Sequence, residues 1–91
     1  MKIKKGFILR EMAENGGVSV VVAVGEAATK LKGYLSLNES GTLIWKTLEN
    51  GASFDDVVNA VLNEYDAPEE LVRKDVEAVI SSLRNIGAID D

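Results

Sequence analysis

Residues Tyr34 to Leu48 read YLSLNESGTLIWKTL, and they mark the end of a β-strand running straight into a capped, apolar helix. Asn38 is a good N-cap residue, and Glu39 suits the positive end of the helix macrodipole. Leu43, Ile44, Thr47 and Leu48 form the expected inner stripe, and Asn50-Gly51 supplies a C-terminal stop. Trp45 is large enough that a small fold needs it for packing rather than as a platform for ligand. Everything before this junction has the pattern of strands and everything after it has the pattern of helices.

Working upstream, Phe7 to Met12 (FILREM) is expected as the first strand of a meander. Asn15-Gly16-Gly17 tolerates positive φ and signals a hairpin. Val18 to Val24 is a β-branched run, apolar on both sides of its alternation except at Ser19, as a central strand requires. Gly25 ends it, and Glu26 to Lys30 reads as a turn or loop because EAATK is too short to nucleate a helix alone. Lys30 to Leu37 is the third strand of the meander. Leu31, Leu35 and Leu37 face one way, while Lys30, Lys32, Tyr34 and Ser36 face the other. Gly33 lies in its interior, where glycine often marks close approach of another backbone. The last strand of such a meander keeps a free edge unless something covers it.

Downstream, Ser53 followed by Asp56 predicts a capping box for a second helix over 54–65. Its apolar set is Phe54, Val57, Val58, Val61, Leu62 and Tyr65. Pro68 is suited to the first turn of a third helix, which Gly87 ends. The short connections around 51–53 and 66–67 force three compact helices. The chain therefore reads as one α+β domain over residues 1–91: an N-terminal three-stranded antiparallel sheet followed by a three-helix bundle, winged helix-turn-helix-like.

Composition narrows the function. The 91 residues contain no Cys and no His, so thiol chemistry, the commonest metal ligand and the usual neutral-pH general base are all missing. The acidic pairs Asp55-Asp56 and Glu69-Glu70 fall in first helical turns, where capping and the macrodipole explain them. A non-enzymatic protein without a cofactor is expected. The longest apolar run, Val20 to Val24, is far below the ~20 residues of a membrane span. No apolar stretch follows Lys2, Lys4 and Lys5 to make a signal peptide, so the expected location is cytoplasmic. Net charge is −5, but residues 1–37 carry six Lys/Arg against three Asp/Glu, and residues 38–91 carry four against twelve. A DNA-reading winged helix is the alternative function, and this acidic helical half has the wrong sign for phosphate.

Angular placement on the third helix, at about 100° per residue, puts Val72, Val76, Val79, Ile80, Leu83 and Ile86 on one core stripe. Beside it, on one side only, runs a column of Leu71, Asp75, Ala78 and Ser82. This column and the free third strand form two walls of a groove. An extended peptide could pair with the strand edge and drop alternate side chains between sheet and helix. The competing reading is that the column is merely the core boundary, touched by the chain's own tail, Ala88 to Asp91.

Several strings carry a family resemblance: Leu35-Ser-Leu-Asn-Glu-Ser-Gly-Thr-Leu-Ile-Trp45, Leu48-Glu-Asn-Gly-Ala-Ser53, Tyr65-Asp66, Lys74-Asp-Val76 and Leu83. Together they resemble the pyrroloquinoline quinone biosynthesis protein D (PqqD) family over roughly Phe7 to Ile89, in its free-standing form. The resemblance implies a RiPP recognition element, a peptide chaperone that binds the leader of a ribosomally made precursor by strand addition. It also implies delivery to a modifying enzyme, often a radical S-adenosylmethionine protein. Carried onto this sequence, the peptide-binding residues are Leu31, Lys32, Gly33, Tyr34 and Leu35 on the strand and Leu71, Val72, Asp75, Ala78, Val79 and Ser82 on the helix. The same free strand edge would permit a homodimer by edge-to-edge pairing.

Overall fold

A computed structural model describes residues 1–12, 18–29 and 34–90. The strands are β1 (Lys2–Ile3), β2 (Phe7–Met12), β3 (Val18–Ala23) and β4 (Leu35–Leu37). They are followed by the helices α1 (Glu39–Glu49), α2 (Phe54–Glu64) and α3 (Glu69–Asn85), and by β5 (Ile89–Asp90). The expected α+β order is present. β2, β3 and β4 form an antiparallel sheet in that order, with Leu9 opposite Val21 and Val21 opposite Leu35. Of the third strand expected at Lys30 to Leu37, β4 accounts for Leu35–Leu37; residues 30–33 lie outside the described residues, as does the Asn15-Gly16-Gly17 turn.

Three features differ from the sequence expectation. First, Gly25–Thr29 forms a short 3-10 helix rather than an irregular turn, and Val24 has left the strand, its N–H donating to the Gly6 carbonyl at 2.8 Å. Second, β1 pairs with β5, Lys2 opposite Asp90 and Ile3 opposite Ile89. This antiparallel pairing holds the tail beside the N-terminus, with Ala88 and Ile89 buried and the Lys4 N–H donating to the Ala88 carbonyl at 2.8 Å. The tail is thus held as a strand of its own. Third, Pro68 is the N-cap of α3 rather than a first-turn residue, and Gly87 at φ +78° turns the chain from α3 into β5.

α1 is the pivot of the fold, packing on α2, α3, β1, β3 and β4. Its buried face is Gly41, Thr42, Ile44, Trp45 and Leu48; Leu43 and Thr47, expected on the inner stripe, are half-buried. The rotation toward Thr42 has a chemical cause. Thr42 Oγ1 lies 2.8 Å from Ser19 Oγ and 2.9 Å from the Asn38 carbonyl. With one hydroxyl proton, Thr42 donates to the carbonyl, and the buried Ser19 hydroxyl is satisfied by donating to Thr42. Gly41 allows the corner to close, since a Cβ there would stand 3.2 Å from the Leu37 Cβ. The capping box of α2 is present, Asp56 N–H donating to Ser53 Oγ at 3.1 Å and Ser53 N–H to Asp56 Oδ2 at 3.2 Å. Trp45, Ile44, Leu48 and Leu83 are the largest of the fully buried apolar side chains, so the tryptophan fills the core as its size predicts. No helix among the described residues is long and apolar enough to cross a membrane.

Candidate functional site

The pairing geometry fixes which backbone groups reach the open edge. The Val24–Gly6 hydrogen bond sets the phase of the β2–β3 ladder, so Ile8, Arg10, Val20 and Val22 direct their amides and carbonyls across that pair. Ser19 and Val21 then point theirs toward Leu37 and Leu35, their partners on β4. Ser36 is left with its N–H and C=O directed away from the sheet. The β4 edge has no further strand in this sheet among the described residues. Side chains alternate accordingly: Leu35 and Leu37 face the helices, while Ser36 and Tyr34 face away, Tyr34 being 68% exposed.

On α3 the core stripe is narrower than expected. Val72, Val76, Ile80 and Leu83 are buried, whereas Val79 and Ile86 are half-buried. The neighbouring column of Leu71, Asp75, Ala78 and Ser82 is exposed throughout, and Leu71 is 55% exposed despite its size. Leu71 is thus a large exposed aliphatic in a column of otherwise short side chains.

Where the β4–α1 corner meets α3 there is a hollow of about 280 Å³, lined by Asn38, Glu39, Ser40, Val61, Tyr65, Ala67, Val72 and Asp75. Of the predicted site residues the structure brings Val72 and Asp75 into this hollow. Leu71, Ala78, Val79 and Ser82 extend along α3 beyond its lining, and Tyr34 and Leu35 belong to the strand side. Leu31, Lys32 and Gly33 lie outside the described residues.

Sequence reasoning missed Asn38, Glu39, Ser40, Val61, Tyr65 and Ala67 as site residues. It assigned Asn38 and Glu39 to the helix start and Val61 and Tyr65 to the core, and gave Ser40 and Ala67 no role of their own. Asn38 does cap α1, its Oδ1 accepting from the Gly41 N–H at 2.9 Å and from Ser40 Oγ at 3.1 Å, but the same residues also form the wall next to β4. The available signal was positional: cap residues that directly follow an edge strand lie at the mouth of any groove beside it.

The hollow is acidic. Burial, and then the adjacent Glu39 carboxylate, hold the Tyr65 phenol protonated above its usual range. No Lys or Arg is among the lining residues. Arg73, on the same helix as Asp75, is engaged elsewhere. Its guanidinium donates to Glu69 Oε2 at 3.0 Å and Asp55 Oδ1 at 3.2 Å, and these partners hold it still more firmly charged.

Two solved structures share this fold. One, described as TbiB1 in complex with the TbiA(beta) leader peptide, superposes with a TM-score of 0.73 at 23% identity, covering 99% of this chain and 100% of that one. The other, lasso peptide synthetase B1 complexed with the leader peptide, gives a TM-score of 0.70 at 23% identity, covering 96% and 93%. No curated protein sequence matches significantly. Residues 12–89 match the family described as Coenzyme PQQ synthesis protein D (PqqD). That span takes in β3, β4, the three helices and the whole hollow, and the chain belongs to the PqqD family.

Proposed function

We propose that this protein binds the leader segment of a ribosomally made precursor peptide as an added strand on β4, against α3, and presents it to a modifying enzyme. The observation that carries the reading is the outward-directed backbone of Ser36 on a strand that leads into the hollow shared with Asp75, a member of the exposed column Leu71, Asp75, Ala78 and Ser82. An extended peptide would find backbone partners on the strand and apolar ground on the helix. Family membership and two structural relatives that hold leader peptides support it.

In this reading residues 1–91 act as one peptide-binding domain. Leu31, Lys32, Gly33, Tyr34 and Leu35 form the strand wall. Leu71, Val72, Ala78, Val79 and Ser82 form the helix wall, and Lys32 and Asp75 select charge. The protein acts by positioning, without catalysing a reaction, and the enzyme it serves is of the radical S-adenosylmethionine type. Ordering a disordered leader offsets part of the contact energy, so affinity on the order of micromolar is expected. Before peptide arrives, the same edge pairs with a second copy at high protein concentration.

The test is an NMR titration of the labelled protein with leader sequences encoded near its gene. Shifts confined to residues 30–36 and 71–82 are expected; leader binding that leaves both segments unmoved overturns the placement. Nothing favours the DNA-reading alternative, since the ledge of α3 carries Asp75 and no basic residue.

A further inference from the structure

We infer that the hollow beside β4 receives the side chain of a Lys or Arg from the bound peptide, at the peptide position opposite Leu37. The inference rests on the strand-addition reading above and adds to it a chemical identity for one peptide position.

Register supplies the location. In a strand added to β4, the residues that hydrogen-bond to Ser36 project away from the helices, as Ser36 does. Residues opposite Leu35 and Leu37 project toward the helices. Leu37 is the last residue of β4, and the next three residues, Asn38, Glu39 and Ser40, form the near wall of the hollow. The peptide side chain opposite Leu37 is therefore the one aimed at it.

Chemistry supplies the occupant. The floor is aliphatic, from Val61, Ala67 and Val72, and the two carboxylates come from separate elements, Glu39 at the start of α1 and Asp75 on α3. A Lys or Arg matches both parts, laying its methylene stem on the valines and its charge between the acids. The carboxylate oxygens of Glu39 and Asp75 can each accept from a donor on the peptide. The ion pairs among the described residues use Glu11, Asp55 and Glu69 and leave these two acids to the groove. A Glu or Asp in this place would be repelled, and a purely aliphatic side chain would cover the carboxylates without compensating them.

The test does not require the natural leader. Short random peptides are selected against the full chain, and those that shift the Ser36 amide are titrated with their basic residue intact or replaced by norleucine. The same titrations are run on a Glu39→Gln, Asp75→Asn variant, whose substitutions fall on exposed residues. The expected result is a Lys or Arg at one common position. Its replacement weakens binding about tenfold on the natural chain and less than about twofold on the variant. Selected peptides that shift Ser36 but share no basic position, or that lose equally on both chains, overturn this inference and leave the strand-addition reading in place. Failure of every selected peptide to shift Ser36 overturns both.

Discussion

The sheet has two outer edges, and they are finished differently. β2 is the longer, with the backbone groups of Phe7, Leu9 and Glu11 directed outward by the same ladder phase that frees Ser36 on β4. Beside β2 lies a hollow of about 410 Å³ whose lining includes Phe7, Leu9, Trp45 and Glu49. Across it Lys46 of α1 forms an ion pair with Glu11. One of the two carboxylates there, Glu11, is matched within the chain, while Glu49 has no ion pair among the described residues. Beside β4 the hollow is smaller and its carboxylates face no cation among the residues that line it. A free strand edge is thus not enough to mark a binding site. What borders the edge, and whether its charges already have partners, separates a strapped edge from a receptive one.

The largest effect that tests this contrast is at Trp45, which lines the β2-side hollow yet is only 2% exposed. Trp45→Ala is expected to cost about 3–5 kcal/mol of unfolding free energy, read from denaturant titration. Peptide affinity measured while the variant is still folded should be unchanged. A variant that keeps its stability but loses peptide would move the site to the wrong edge.

Next comes Ser36→Pro. Proline removes an N–H that faces the open edge and donates no hydrogen bond to β3. Binding should weaken by about a hundredfold, while stability shifts by less than about 1 kcal/mol, as calorimetry and thermal melting would report.

The smallest effect is at the strap. Both partners of the Lys46–Glu11 pair are more than half exposed, so Lys46→Met should change stability by less than about 1 kcal/mol and leave peptide affinity as it was. A gain of peptide binding at β2 on making this substitution would show that the ion pair alone distinguishes the two edges.

Much of this was readable from the sequence, for local reasons. The β-branched run at Val18, the caps at Asn38 and Ser53 and the helical periodicity of Val72, Val76, Ile80 and Leu83 each fix their own element. The pairing of Lys2–Ile3 with Ile89–Asp90 was not readable, because two-residue strands at opposite ends of the chain have no periodicity to detect. The inner face of α1 was misplaced because a buried Thr42 is recognisable only once Ser19 is seen opposite it. On the site, the exposed α3 column was legible from angular position alone. The near wall was not, since Asn38, Glu39 and Ser40 satisfy helix-start chemistry so well that a second role leaves no separate trace in the sequence.

The central claim is that peptide pairs with β4 and not with β2. Amide hydrogen exchange, measured with and without bound leader, distinguishes the two edges directly. The account predicts that peptide slows exchange at Ser36 and leaves Phe7, Leu9 and Glu11 unchanged; slowing at the β2 amides with none at Ser36 would contradict it.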